Sequence, residues 1–150
     1  MALSMRIWLA VAVLGIAAFA ARGRFSSHTP NLAAAVKSAR AARAPLALEF
    51  SMTGCAACRQ FESTILTNPD VQQALKTVHF VRYNITEEAA GREAAERLSV
   101  RAFPTVVIVG DDGRERFRME GFPAGPPGAA YFAGFLRKAR LGAWALAPGE

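Results

Sequence analysis

The sequence predicts an α/β fold in which a central mixed sheet of four to five strands is flanked by helices. Short apolar runs of strand length alternate with longer segments of helical spacing. A strand–helix–strand unit comes first and a strand–strand–helix unit follows, around what reads as one sheet. The chain has 150 residues, of which 52% are hydrophobic, so it can bury a single core without a disulfide framework.

The first half of the predicted fold contains three helices and two strands. Asn31 can cap a helix over Leu32 to Arg43, which Pro45 ends. The run from Leu46 to Ser51 is apolar on both faces apart from Glu49, as is typical of a central strand. We then expect a helix from Cys55 to about Leu66, a short helix from Pro69 to about Lys76 and a strand from Val78 to Tyr83.

The second half contains a helix, a hairpin and a last helix. Thr86-Glu87-Glu88 supplies a hydroxyl cap and first-turn acids for a helix to about Leu98. The turn Asp111-Asp112-Gly113 joins two further strands, and an amphipathic helix follows. These elements are Thr105 to Val109, Arg114 to Met119 and Gly128 to Leu141, and residues 142–150 form a tail that we expect to be flexible.

Residues 1–24 predict a signal peptide or a membrane anchor. The apolar stretch 7–21 would span roughly 22 Å as a helix, short of the roughly 30 Å hydrocarbon core of a membrane. Ala18-Phe19-Ala20 offers a small-x-small cleavage pattern, whereas Arg22 and Arg24 suit retention of the segment. In either case we expect a domain over residues 25–141 that lies outside the cytoplasm, in the periplasm or an equivalent compartment, and meets the membrane only if the segment is uncleaved.

The net charge of +6 does not point to a nucleic-acid partner. The basic residues are scattered along the chain and no nucleic-acid motif accompanies them. Attraction to acidic partners or to an anionic membrane is the alternative, but we interpret the charge as a solvated surface.

The only two cysteines form the motif Cys55-Ala56-Ala57-Cys58, between the first strand and its helix. A disulfide closing so short a loop stabilises little, because loop-closure entropy grows with loop length. Two thiolates are too few for a closed zinc site, and His28 and His79 are far away in sequence. The pattern therefore predicts a redox-active pair with no metal and no further cofactor, with metal binding or inert cysteines as alternatives.

Several motifs resemble the thioredoxin superfamily. Glu49-Phe50, Thr53 to Cys58 and Phe103-Pro104-Thr105 carry this resemblance. Within the superfamily, the chain resembles in particular the C-terminal periplasmic domain of the thiol:disulfide interchange protein DsbD. That similarity rests on residues 55–62, 68–75, 84–86 and 121–122 and spans roughly residues 32 to 140. It implies a thioredoxin-like fold and thiol–disulfide exchange.

The resemblance assigns unequal roles to the two cysteines. Cys55 would lie at a helix amino terminus, where free N–H groups and the helix dipole lower its thiol pKa and make it the nucleophile. Cys58, one turn further in, would resolve the mixed disulfide. The two alanines between them offer no polar side chain to hold a thiolate, so we expect a reducing potential, nearer to thioredoxin than to the oxidant DsbA.

Two carboxylates are candidate catalytic residues. The resemblance makes Glu49 a buried acid with a raised pKa that accepts the proton of Cys58, the alternative being a strand-edge glutamate that faces water. Glu62 lies one helical turn after Cys58 on the same face and matches a second acid of the DsbD pattern. An exposed helix glutamate is its alternative.

Three residues are candidates for substrate binding. By resemblance Pro104 is a cis-proline that faces the cysteines, and the backbone of Phe103 pairs with an extended substrate segment. The alternative is an ordinary proline at a strand entry. Gly54 stands where thioredoxins usually carry a tryptophan, which leaves partner recognition at the rim of the motif open.

We therefore expect an exported thiol:disulfide oxidoreductase that reduces protein disulfides. An external thiol reductant, such as a membrane electron-transfer protein, would have to re-reduce it. A disulfide oxidase or isomerase with the same site is one alternative, and a non-catalytic binding or assembly module is the other.

Overall fold

The computed structural model of the chain describes residues 29–142. The predicted signal peptide or anchor, His28 and nearly all of the predicted tail lie outside the described residues. No helix within residues 29–142 is long and apolar enough to cross a membrane. The helices are α1 (Leu32–Ala42), α2 (Ala56–Gln60), α3 (Pro69–Leu75), α4 (Ala89–Arg97) and α5 (Pro126–Gly142), and the strands are β1 (Leu46–Ser51), β2 (His79–Asn84), β3 (Thr105–Val109) and β4 (Glu115–Glu120).

The four strands form one mixed sheet in the order β2-β1-β3-β4. Strands β1 and β2 are parallel, whereas β3 is antiparallel to both β1 and β4. The predicted α/β class and mixed sheet are confirmed, with four strands in the described part of the chain. β1 lies inside the sheet and every one of its residues is buried, as its apolar sequence predicts.

Alternate residues of the strands enter two different cores. Leu46, Leu48 and Phe50 pack with apolar residues of α1 and α4. Ala47 packs on the opposite face, with residues of α3, of α5 and of the helical segment that continues α2 from Phe61 to Leu66. Glu49 therefore points into the face of the sheet that the cysteine-bearing helix covers.

The helix that follows the cysteines is continuous but changes its hydrogen-bond pattern. α2 passes into a π-helical segment, Phe61–Ile65, and the Leu66 N–H donates to the Phe61 carbonyl at 3.0 Å. The hydroxyls of Ser63 and Thr64 both donate to the Gln60 carbonyl and so compete with the regular ladder. The predicted helix from Cys55 to about Leu66 is thus α-helical only at its start.

The predicted start of α4 at Thr86 is wrong. The residue that precedes the helix is Glu88, and its side chain makes no capping bond. Its carboxylate instead accepts hydrogen bonds from the Asn84 N–H and the Thr29 hydroxyl. The Thr86 hydroxyl accepts a hydrogen bond from the Thr53 N–H in the neighbouring loop. Hydrogen bonds to Thr29, to the end of β2 and to the loop after β1 therefore replace the expected helix cap.

Candidate active site

Cys55 and Cys58 are joined by a disulfide at the amino terminus of α2. Cys55 is the N-cap residue, and the backbone N–H of Cys58 donates to its Sγ at 3.1 Å. Cys55 is half-buried, whereas Cys58 is only 2% exposed. A partner can therefore reach Cys55 more easily than Cys58, which fits the predicted attacking and resolving roles.

The loop that enters β3 lies beside Cys55. The Phe103–Pro104 peptide bond is cis, as predicted. The carbonyl oxygen of half-buried Phe103 lies 4.0 Å from the Cys55 Sγ, and Pro104 is buried. The Thr105 hydroxyl donates to the Ala102 carbonyl at 2.8 Å and so holds this bend. Backbone pairing of a substrate with Phe103 stays a prediction.

Gly54 adopts a positive φ of +85° directly before Cys55. L-residues with a side chain rarely adopt this conformation, so the turn itself favours glycine. A Cβ placed at Gly54 would meet no atom within 4 Å. The surface next to Cys55 is therefore open on this side, and the predicted role of Gly54 in substrate binding stays a prediction.

Glu49 is fully buried in β1. The Arg82 Nε donates to its Oε2 at 3.0 Å, whereas its Oε1 is buried without a hydrogen-bond partner. Burial raises the pKa of Glu49 above its ordinary value, Arg82 opposes that shift, and the charge of Glu62 adds to it. The alternative of a strand-edge glutamate facing water is wrong, because β1 is an interior strand.

Arg82 connects the two predicted carboxylates. Its guanidinium also forms an ion pair with Glu62, and the side chains of Arg82 and Glu62 are 46% and 43% exposed. Glu62 is thus coupled to Glu49 through a shared cation. Sequence reasoning missed Arg82, whose only signal is its register position opposite Glu49 on the parallel strand β2.

A polar network, which we call the loop clamp, holds the residues that precede Cys55. The Thr53 N–H donates to the Thr86 hydroxyl at 3.2 Å. The Thr53 hydroxyl donates to the Glu87 carboxylate at 2.7 Å and accepts from the Asn84 side chain at 3.0 Å. The last residue of β2 and the loop after it therefore fix the loop after β1. Sequence reasoning missed this role, because the two loops are about thirty residues apart in the chain.

No group of three or more histidine, cysteine, aspartate or glutamate side chains in residues 29–142 is arranged to hold a metal ion. Half-buried His79 begins β2, on the first position of that strand.

Residues 32–138 match the family model described as a thioredoxin-like domain. The chain belongs to the thioredoxin-like domain family. The predicted resemblance and fold class are thereby confirmed, and the match covers nearly all of the described residues.

Similar proteins include DsbD and thioredoxin. The thiol:disulfide interchange protein DsbD of Pseudomonas fluorescens is 36% identical over 87 residues, which are 57% of this chain but only 15% of that protein. The chain thus spans less than a sixth of this curated relative.

Two solved structures show the same fold. The oxidised C-terminal domain of DsbD from Neisseria meningitidis has a TM-score of 0.59 and 22% identity, covering 72% of this chain and 91% of that domain. A thioredoxin from Thermus thermophilus has a TM-score of 0.62 and 25% identity, covering 81% of this chain and 92% of the thioredoxin.

Proposed function

We propose that this chain is a thiol:disulfide oxidoreductase that reduces protein disulfides through Cys55 and Cys58. The single observation that carries the proposal is the disulfide at the start of α2, with the more accessible Cys55 beside the cis Phe103–Pro104 bend and Cys58 buried behind it. Membership of the thioredoxin-like domain family supports the same chemistry.

In the reductive reaction the dithiol form attacks first through Cys55. The Cys55 thiolate forms a bond to one sulfur of the substrate disulfide and displaces the other sulfur as a thiolate. Cys58 then loses its proton and attacks the Cys55 Sγ, which releases the second substrate thiolate and leaves the Cys55–Cys58 disulfide. The substrate gains two electrons and, after protonation, two protons.

Glu49 is the proposed acceptor of the Cys58 proton. Burial raises the pKa of its carboxyl above the ordinary value, which makes the carboxylate a better proton acceptor. The unpartnered Oε1 can take a proton without losing a hydrogen bond that it makes in the oxidised protein. Glu49 also lies on the sheet face that the cysteine-bearing helix covers.

The reaction as proposed needs no cofactor but does need an external thiol reductant. The disulfide left after each turnover must receive two electrons before Cys55 can attack again. A membrane electron-transfer protein is one chemical source of those electrons. We place the reaction outside the cytoplasm, because the amino-terminal sequence predicts export or anchoring and a dithiol there needs a dedicated reductant.

Reduction of insulin by dithiothreitol tests the proposal. We expect the wild-type protein to accelerate the reaction and Cys55→Ser to leave it at the uncatalysed rate. Cys58→Ser should form a mixed disulfide with insulin, which dithiothreitol reduces. Equal rates for wild type and Cys55→Ser would exclude the enzyme and favour a binding module.

Equilibration with a glutathione buffer tests whether the protein favours reduction or oxidation of its substrates. We expect a reduction potential nearer the about −270 mV of thioredoxin than the about −120 mV of DsbA. The reason is that two alanines separate the cysteines and add no side-chain donor to the thiolate. A potential near that of DsbA would support the oxidase or isomerase.

A further inference from the structure

Three large apolar side chains are exposed within residues 29–142, and one of them lies beside the cysteines. Met52 is 40% exposed, three residues before Cys55. The other two, Tyr131 at 54% and Leu141 at 77%, lie on α5, which is remote in sequence from the motif. Met52 is therefore the one large exposed apolar side chain in the loop that carries the disulfide.

The exposure of Met52 is built into the loop by hydrogen bonds on both sides of it. The Cys55 N–H donates to the Met52 carbonyl at 3.3 Å, which closes the turn ahead of the motif. The Ile85 N–H donates to the Ser51 carbonyl at 3.0 Å on the other side. The loop clamp holds the next residue, Thr53, through three more hydrogen bonds. The backbone on both sides of Met52 is thus held in place, so the exposure of its side chain does not come from an unrestrained loop.

The neighbours of Met52 around the motif are small. Gly54 has no side chain, and a Cβ there would meet only open space. Ala56 and Ala57 are exposed but short. Among residues 52–57, Met52 therefore offers the largest exposed apolar side chain to a partner whose sulfur is bonded to Cys55.

We propose that Met52 is a substrate-contact residue that favours protein disulfides flanked by apolar side chains. This inference rests on the proposed function. The unbranched thioether is flexible and polarizable, so it can pack against apolar groups of different shapes. Burying its exposed area against a substrate stabilises the encounter with a protein but adds nothing for a small disulfide that ends at the sulfurs. Met52 accordingly sets KM for protein substrates rather than the rate of exchange.

Kinetics of Met52→Ala on two substrates test the proposal, with dithiothreitol as the donor. We expect KM for insulin to rise by roughly three- to tenfold, since the variant loses apolar contact area. The kcat for insulin and the rate with hydroxyethyl disulfide should match those of the wild type. Met52→Leu, which keeps an apolar side chain of similar volume, should restore most of the affinity. Tyr131→Ala, the matched control, removes an exposed apolar side chain elsewhere and should leave every parameter unchanged.

Each outcome decides the proposal. An insulin KM for Met52→Ala that equals that of the wild type or of Tyr131→Ala overturns it. A parallel loss with hydroxyethyl disulfide also overturns it, because the residue would then support the loop rather than contact substrate. Failure of the wild type to reduce insulin removes the proposed function and this inference together, whereas an active wild type with an unchanged variant removes only the inference.

Discussion

The two faces of the sheet are built from the same strands but differ in chemistry. On the face covered by α1 and α4, the core contains apolar side chains and Tyr83, whose ring lies 5.4 Å from that of Phe50. On the face covered by α2 and α5, one residue along β1, Glu49 is buried and paired with Arg82. The comparison shows that Glu49 lies between Leu48 and Phe50, two residues of β1 whose side chains pack in the apolar core on the other face.

The largest expected effect is on the apolar face. Phe50→Ala should lower the free energy of unfolding by about 3–5 kcal/mol, because a fully buried aromatic ring leaves a cavity. Urea denaturation measures the loss, and Phe50→Leu, which retains most of the volume, should lose less. Folded Phe50→Ala should still reduce insulin. A stable variant that is catalytically dead would contradict the division between the faces.

Substitution of the adjacent residue, Glu49→Gln, should instead slow catalysis. Without the proton acceptor, release of the mixed disulfide should slow by roughly tenfold to a hundredfold. Stopped-flow measurement of single turnover separates this step from the attack by Cys55, which should be unchanged. Unchanged release would remove Glu49 from the mechanism.

The pH dependence of the free energy of unfolding should report the ionisation of Glu49. Because burial raises the pKa of Glu49 in the folded protein, its favourable contribution is complete below its ordinary value of 4.5 and is lost as the pH rises through the raised value. The oxidised wild type should therefore lose stability relative to Glu49→Gln between these two values. Urea denaturation across that range measures the difference, and exposed Glu96→Gln serves as the control. A constant difference between wild type and Glu49→Gln would show that Glu49 is not perturbed.

The smallest expected effects concern the two partners of Glu49, and they differ in sign. Arg82→Gln removes a cation and a hydrogen bond, so the pKa of Glu49 should rise further. Glu62→Gln removes a negative charge, so the pKa of Glu49 should fall. Carboxyl NMR titration of the oxidised protein measures both shifts. Shifts of the same sign would contradict the coupling of Glu62 to Glu49 through Arg82.

Much of the fold follows from local signals. The apolar run of β1, the Asn31 cap of α1 and Pro69 at the first position of α3 each depend on residues within a few positions, and the structure contains all three elements. The start of α4 could not be predicted in this way. Thr86 has the residue type of a cap, but its hydroxyl meets Thr53, a partner from the preceding strand's loop.

The candidate site also has a part that could be predicted and a part that could not. The sequence motifs predicted the cysteine pair, the acid in the strand before it and the proline ahead of β3. The link between Glu49 and Glu62 could not, because Arg82 meets Glu49 only through the pairing register of β1 and β2. Register depends on how distant strands align, which no single segment encodes.

By itself the sequence determined an α/β domain with one cysteine pair at a helix start, because periodicity, capping and spacing act over a few residues, and its motifs resemble the thioredoxin superfamily. Only the tertiary structure decided that Glu49 is enclosed and shares Arg82 with Glu62, and that the Met52 side chain is exposed in the loop before the disulfide. Burial and partner choice depend on contacts between segments distant in the chain, and those contacts exist only once the sheet and its helices have assembled.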